Sequence, residues 1–204
     1  MLIHKETNSK YILGVWKITE SADTLLSQLE KEESDTLRQE YHSESRLLEI
    51  AATRVLLSHI IDRSAKIEYQ SNGKPYLRDY PLNISISHTK GYAAVILSHS
   101  EYLGIDIEYI SDRVKRIRSR FISDKEFIDS ENEIIHLLLH WSAKETMYKA
   151  LSMEGVELKN DFLINSFTPA AAGVLTSREF YTERQLCFNI QYFITDYYVL
   201  TFTI

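Results

Sequence analysis

The chain has 204 residues, 44% hydrophobic and 25% charged, and these proportions exclude a collagen, a coiled coil and a wholly disordered chain. A net charge of -6 argues against a protein that coats nucleic acid or anionic membrane. The single cysteine, Cys187, excludes an internal disulfide and a cysteine-based metal cluster. A polar N-terminus and short apolar runs predict a soluble, cytoplasmic protein without membrane or nucleic-acid partners.

The first half of the chain contains both helical and strand patterns. Residues 11–18 are rich in β-branched and aromatic side chains, which predicts a strand. Apolar residues at helical spacing predict one helix over residues 21–40 and another over 43–62. Alternating patterns and turn residues predict further strands at 66–70, 83–87, 92–98 and 103–109.

The second half repeats this mixture. A basic stretch, residues 113–120, is expected as a helix face or loop, a helix start is expected at 123–127, and a long helix is expected at 132–151. Three strands follow, at 162–167, 186–193 and 197–204. The order predicts an α+β fold whose pattern occurs about twice, with a break near residue 103. We therefore expect two halves, residues 1–103 and 104–204.

The strand Gly104-Ile105-Asp106-Ile107-Glu108 carries two carboxylates on one face. Side chains alternate along a strand, so Asp106 and Glu108 project together while the two isoleucines project to the other face. Two carboxylates this close repel each other, and a hard cation such as Mg²⁺ would relieve the repulsion. The alternative is an ordinary strand with a solvated acidic face.

The segment Trp141-Ser142-Ala143-Lys144-Glu145 begins a second polar motif in the long predicted helix. Residues four apart share a helix face, so Trp141, Glu145 and Lys149 are expected to align. Glu145 could complete a metal site or accept a proton while Lys149 binds phosphate. Alternatively, Glu145 and Lys149 form a surface ion pair with each other.

Two shorter motifs carry groups that can bind an anion. Ser87 and His88 end a predicted strand, where a hydroxyl and an imidazole can donate to a phosphate oxygen. Pro75 holds the preceding Lys74 extended, so that its ammonium is displayed. The alternatives are an ordinary histidine at a strand end and a solvated lysine. The sequence contains no nucleophile elbow, Walker A motif or zinc-protease motif.

These four motifs, GKPYL, NISISHT, LGIDIE and WSAKETMYK, occur in the order that resembles the signature of the Sfp-like 4′-phosphopantetheinyl transferases, in the holo-acyl-carrier-protein synthase superfamily. The resemblance implies two similar α+β halves related by a pseudo-twofold axis, with the active site in the cleft between them. It implies transfer of the 4′-phosphopantetheine arm of coenzyme A to a serine of an apo carrier protein, releasing adenosine 3′,5′-bisphosphate. It also implies Mg²⁺, for which Mn²⁺ can substitute, and a role in fatty acid or secondary metabolite biosynthesis.

The resemblance assigns roles to individual residues. The implied metal ligands, all in the second half, are Asp106, Glu108 and Glu145. The implied catalytic residues are Glu145, Lys149 and His88, and Glu145 would take the serine proton directly or through a water molecule. The implied coenzyme A contacts are Lys74, Ser87, His88, Lys144 and Lys149. The first half is thus expected to serve coenzyme A and the second half metal binding and catalysis.

The resemblance also implies basic residues around the helix that precedes Gly-Lys-Pro, where they hold the 3′-phosphate. Arg46 and Arg54 are the candidates here, of which Arg46 is the better, since Arg54 could instead brace the core.

An acidic acyl or peptidyl carrier would need a basic docking surface on this chain. The candidates, which could alternatively form a solvated face, are Arg113, Lys115, Arg116, Arg118 and Arg120. A chain of this length is expected to act as a monomer. The competing hypotheses are a Mg²⁺-dependent hydrolase of nucleotides or coenzyme A, a non-catalytic binding module and a purely structural protein.

Overall fold

Two units with separate cores make up the part of the chain that the computed structural model describes, namely residues 1–61, 65–78 and 80–203. The units are Met1–His99 and Ser100–Ile204. The division lies four residues before the one that the sequence predicts. Each unit combines helices with an antiparallel sheet, as in an α+β fold. A pseudo-twofold relation between them stays a prediction.

A four-stranded antiparallel sheet forms the floor of the first unit. Its strands, in spatial order, are β1 (Leu2–Thr7), β2 (Tyr11–Lys17), β6 (Tyr92–Ser98) and β5 (Asn83–Thr89). The prediction missed β1, whose side chains are only half-buried or exposed and which contains few strand-favouring residues. A two-stranded ribbon, β3 (Lys66–Tyr69) with β4 (Pro75–Arg78), completes the strands described here.

Three helices accompany this sheet, namely α1 (Ala22–Leu26), α2 (Lys31–Glu40) and α3 (Glu44–Ile60). The single helix predicted over 21–40 is wrong, because the chain forms α1 and α2 instead. Ser27 and Gln28 end α1, since both side chains donate hydrogen bonds to the carbonyl of Thr24. The longer helix α3 confirms the second helix prediction, except that residue 62 lies outside the described residues.

The helix α3 supplies most of the helical side of the first core. It packs on β2 and β6, where a Cβ added to Gly14 would lie 2.7 Å from Ile60 and 2.8 Å from Leu56. This close approach buries one face of the helix and leaves Arg46 and Glu49, near its N-terminus, on a more exposed side.

A five-stranded antiparallel sheet forms the second unit. Its strands, in spatial order, are β7 (Ile105–Tyr109), β11 (Tyr198–Thr203), β10 (Cys187–Ile194), β9 (Ala172–Glu179) and β8 (Phe162–Ile164). The prediction missed β9, whose sequence AGVLTSRE divides into an apolar half and a polar half and so does not show the alternation of a strand with one buried face.

Two helices pack with this sheet, α4 (Val114–Phe121) and α5 (Glu133–Leu151). The helix α5 lies against β7 and β11, so the carboxylate strand and the long helix are adjacent. The helix predicted to start at 123–127 is wrong, since this segment is a turn that the Glu126 carboxylate closes by accepting from the Ser123 backbone N–H. No helix among the described residues has the length and apolar character needed to cross a bilayer.

Candidate functional site

The strand β7 places its isoleucines and carboxylates on opposite faces, as the alternation predicts. Ile105 and Ile107 are buried, whereas Glu108 is half-buried. Asp106 is only 4% exposed, so the alternative of a solvated acidic face is wrong for this residue. A buried carboxylate needs a compensating charge or donor, and the neighbouring helix supplies one.

That helix, α5, turns the face formed by Trp141, Glu145 and Lys149 towards β7. The Lys149 ammonium donates to Asp106 Oδ1 at 2.8 Å and to the Ile105 carbonyl at 3.0 Å. The Trp141 indole N–H donates to Glu108 Oε1 at 2.7 Å. The two motifs are therefore brought together, and Lys149 forms its ion pair with Asp106 rather than as a surface pair with Glu145.

The three carboxylates strongly influence each other. Burial, followed by the charge of Asp106, raises the pKa of Glu145 to about 7. The pKa of Glu108 is also raised to about 7, first by burial and then by the charges of Asp106 and, to a lesser degree, Glu145. The hydrogen bond from Trp141 opposes this shift. Lys149 acts against both shifts. Ionisation of all three carboxyl groups would place three negative charges beside one ammonium, and a divalent cation would offset that excess of negative charge.

A glycine and a hydroxyl network allow α5 to lie this close to β7. A Cβ on Gly104 would lie 2.0 Å from the Thr146 carbonyl oxygen, so no other residue fits there without moving the helix. Thr201 on β11 bonds to the hydroxyls of Ser142 and Thr146 at 2.9 and 2.6 Å. These contacts fix the height and rotation of α5 over the strand.

The donor set suits Mg²⁺ chemically, because carboxylate oxygens are the ligands that this ion prefers. The raised pKa values of Glu108 and Glu145 are the second observation in favour, since burial and the charge of Asp106 disfavour their ionised forms, which a bound cation would stabilise. Among the residues that the structure describes, however, no group of three or more His, Cys, Asp and Glu side chains is arranged to hold a metal ion. Residue types and charge therefore fit the ion, and the metal site itself stays a proposal.

Lys144, which the resemblance assigns to coenzyme A, is buried in the second unit. Its side chain has no exposed surface, and its ammonium donates to Glu126 Oε2 at 2.8 Å and to the Phe121 carbonyl at 2.6 Å. Glu126 also accepts from the backbone of Ser123 and Ile164. A fully buried ammonium that is paired with a carboxylate has no surface to offer a ligand, and these bonds join α5 to the segments around it.

In the first unit the structure brings two predicted phosphate-binding residues together. Arg46 Nη1, on α3, lies 2.5 Å from His88 Nε2, on β5. The other ring nitrogen, His88 Nδ1, lies 3.2 Å from Glu49 Oε2, which is also 3.6 Å from Arg46 Nη1. The sequence analysis missed Glu49, although its position three residues after Arg46 on a helix was a signal that the two interact.

The remaining predicted coenzyme A residues also lie in the first unit. Ser87, next to His88, is buried on β5. Lys74 is half-buried and follows Gly73, whose φ of +80° strongly favours glycine. The backbone N–H of Lys74 donates to Asn72 Oδ1 at 3.0 Å. A hydrogen-bonded turn therefore holds this lysine directly before β4.

Arg54 lies in a different setting from Arg46. It lines two neighbouring cavities of about 460 and 410 Å³, and Arg46, Lys74 and His88 are not among the residues that line them. The Arg54 side chain is 9% exposed and its Nε lies 3.5 Å from Glu33 Oε1. Burial beside a carboxylate favours the bracing role for Arg54 over the phosphate-binding role.

Comparison with known proteins identifies the family of the chain. Residues 102–203, half of the chain, match the family model of the 4′-phosphopantetheinyl transferase superfamily. The chain belongs to this superfamily. It is also 31% identical over 150 residues to the 4′-phosphopantetheinyl transferase ffp of Bacillus subtilis. The aligned part covers 64% of this chain and 63% of that relative, which is less than two thirds of the relative's length.

The family match confirms the resemblance that the four motifs indicate. It spans the carboxylate strand and the long helix, which both belong to the second unit. The roles of individual residues in either unit rest on the geometry described above.

Proposed function

We propose that the chain transfers the 4′-phosphopantetheine arm of coenzyme A to a serine of an apo carrier protein and releases adenosine 3′,5′-bisphosphate. The observation that carries this proposal is the cluster formed by Asp106, Glu108 and Glu145 beside the Lys149 ammonium, in a chain of this superfamily. Phosphoryl transfer demands mainly positioning and charge neutralisation, and this cluster offers groups for both.

Asp106, Glu108 and Glu145 would hold the Mg²⁺ or Mn²⁺ ion. A bound divalent ion supplies Lewis-acid stabilisation of the diphosphate and orients it. The chain's own contribution starts with Trp141, whose indole N–H orients Glu108. Lys149 pairs with Asp106 in the absence of substrate, and its ammonium would bind a phosphate oxygen of coenzyme A.

In the transfer step, the serine oxygen forms a bond to the phosphorus that carries the pantetheine arm. The phosphoanhydride bond of coenzyme A breaks, and adenosine 3′,5′-bisphosphate leaves with the bonding electrons. Glu145 takes the serine proton, directly or through a water molecule. A pKa of about 7 suits a base that works near neutral pH, and a nearby cation would lower this pKa and favour the route through water.

The first unit contributes groups that can donate hydrogen bonds to phosphate. The side chains of Arg46 and His88 are adjacent. Ser87 lies on β5, and Lys74 directly precedes β4. We assign these residues to the phosphates of coenzyme A. Lys144 is left out because it is buried against Glu126.

The decisive experiment measures the intact mass of an apo acyl carrier protein and an apo peptidyl carrier domain after incubation with this protein, coenzyme A and Mg²⁺. We expect the mass of one phosphopantetheine arm to be added, and EDTA to abolish the addition. The Asp106→Ala variant should stay folded and lose the activity. Cleavage of coenzyme A without modification of either carrier would support the hydrolase hypothesis, and binding without cleavage would support a binding module.

The helix α4 provides the surface that we propose for carrier docking. Its exposed basic residues and the one that precedes it are Arg113, Lys115, Arg116, Arg118 and Arg120. Lys115 and Arg118 lie 2.5 and 3.1 Å from Glu133, which partly neutralises them. In the described part of the chain Arg113, Arg116 and Arg120 form no ion pair, so these three retain their charge for an acidic partner.

Charge reversal tests this surface. The double variant Arg116→Glu/Arg120→Glu should raise the KM for the carrier and flatten its salt dependence, because steering by these charges is lost. The control Lys10→Glu/Lys90→Glu makes the same change of net charge at exposed positions of the first unit. Equal effects of the two double variants would show that the carrier does not dock on α4.

We also propose that the enzyme acts as a monomer in the cytoplasm. Light scattering of the purified protein tests its oligomeric state.

A further inference from the structure

A carboxylate, Glu49, contacts both members of the phosphate-binding pair proposed for the first unit. Its Oε2 lies 3.2 Å from His88 Nδ1 and 3.6 Å from Arg46 Nη1. A negative charge this close to a phosphate site weakens phosphate binding, because like charges repel. An effect of Glu49 on the protonation of His88 would offset that repulsion.

The Arg46 contact determines how the His88 ring carries its proton. A guanidinium only donates hydrogen bonds, so His88 Nε2, 2.5 Å from Arg46 Nη1, must accept. A neutral imidazole with an accepting Nε2 carries its proton on Nδ1. That Nδ1 lies 3.2 Å from Glu49 Oε2, a distance at which the carboxylate can accept its proton in a hydrogen bond. Glu49 therefore holds the ring orientation and the tautomer in the absence of a ligand.

Binding of a phosphate changes this arrangement. For a phosphate oxygen to replace Arg46 at His88 Nε2, that nitrogen must carry a proton, which the ring takes up from solvent. The ring is then an imidazolium with both nitrogens donating, and the Glu49 carboxylate at Nδ1 stabilises its positive charge. Arg46, released from the ring, can turn to the same phosphate.

We propose that Glu49 is a positioning residue for phosphate binding, acting on coenzyme A through His88. This inference rests on the proposed function, because it takes His88 and Arg46 as contacts of coenzyme A. Glu49 does not touch the phosphate itself. Its whole effect on affinity is therefore expected to require the His88 ring.

A double-mutant cycle tests the proposal. Calorimetry would measure binding of coenzyme A and of adenosine 3′,5′-bisphosphate to the wild type, Glu49→Ala, His88→Ala and the double variant. We expect Glu49→Ala to weaken binding about tenfold, as for loss of a charge-assisted hydrogen bond. The double variant should bind no more weakly than His88→Ala alone. The KM for the carrier protein should not change in Glu49→Ala.

Two further variants keep the test interpretable. Glu49→Gln retains an acceptor for Nδ1–H without the charge, and we expect it to lose less affinity than Glu49→Ala. Asp35→Ala removes one exposed carboxylate from α2 in the same unit and should bind like the wild type. Circular dichroism establishes that each variant is folded.

The outcomes separate this inference from the proposed function. If Glu49→Ala binds coenzyme A as tightly as the wild type, or more tightly, Glu49 is not a positioning residue. Additive losses in the double variant would show that Glu49 acts independently of His88, which also overturns the proposal. If the wild type neither binds coenzyme A nor modifies a carrier, the proposed function itself fails.

Discussion

Substituting Gly104 by alanine tests whether the close approach of α5 to β7 builds the carboxylate cluster. The new Cβ would lie 2.0 Å from the Thr146 carbonyl oxygen and 2.9 Å from its carbonyl carbon. Real Cβ contacts are at least 3.0 Å, so helix and strand must separate by about 1 Å. Both atoms belong to the helix backbone and cannot rotate away. We expect a loss of about 1–3 kcal/mol in the free energy of unfolding, as for other overpacked sites.

The separation also reaches the candidate site. The bonds from Trp141 to Glu108 and from Lys149 to Asp106 are 2.7 and 2.8 Å long and cross the same gap. Lengthening by about 1 Å would break both, and a misplacement of this size can reduce a catalysed rate about 100-fold. We therefore expect the Gly104→Ala variant to lose far more activity than its stability loss explains.

The assay is the single-turnover rate of carrier modification, measured at a temperature where circular dichroism shows the variant to be folded. Gly14→Ala is the matched control, because its new Cβ would lie 2.7 Å from Ile60 and 2.8 Å from Leu56, both side-chain atoms in the first unit. It should lose stability and keep a rate near that of the wild type. A folded Gly104→Ala variant with the wild-type rate would refute the reasoning.

Three further predictions concern α5. Trp141→Phe removes the donor to Glu108 and should lower kcat about tenfold without unfolding the protein, and an unchanged kcat would contradict the positioning role. Lys144→Met leaves Glu126 buried without its ammonium, so urea denaturation should show a loss of about 3–5 kcal/mol, part of which Lys144→Met/Glu126→Gln recovers. Burial lowers the pKa of His140 to about 4, below its unfolded value of about 6.5, so the unfolded chain binds more protons between these pH values. The free energy of unfolding should therefore fall by up to about 3 kcal/mol as the pH drops from 6.5 to 4, and His140→Phe should reduce that fall.

Strong periodicity was sufficient to predict the elements that carry the site. The strand β7 and the helix α5 lie where alternation and helical spacing placed them, and the shared face of Trp141, Glu145 and Lys149 follows from that spacing. The strands β1 and β9 were missed for the opposite reason. Their burial alternates, but many of the more buried side chains are polar or small, so the sequence lacks the matching hydrophobic alternation, and backbone hydrogen bonds to neighbouring strands hold them in place.

Partners that are distant in the chain could not be predicted. The residues that receive hydrogen bonds from Trp141 and Lys149 lie 33 and 43 positions away, and no local pattern shows the pairing. The turn at Glu126 was predicted as a helix start. In the structure that carboxylate points inwards to Lys144, and the tertiary ion pair overrides the local preference.

A cluster of like charges persists only if the backbone that carries it is held by other contacts, since the charges themselves push the segments apart. The helix α5 meets this requirement because consecutive residues of its motif point in different directions, about 100° apart. Ser142 and Thr146 bind Thr201 on one side, and Lys144 binds the segment around Glu126 on another. Among the described residues, Lys149 is the attractive charge that acts on Glu145, which therefore depends on these neighbours for its position. The motif therefore combines residues that hold the helix with residues that face the site, which explains why a fully buried lysine directly precedes the residue that we propose as the base.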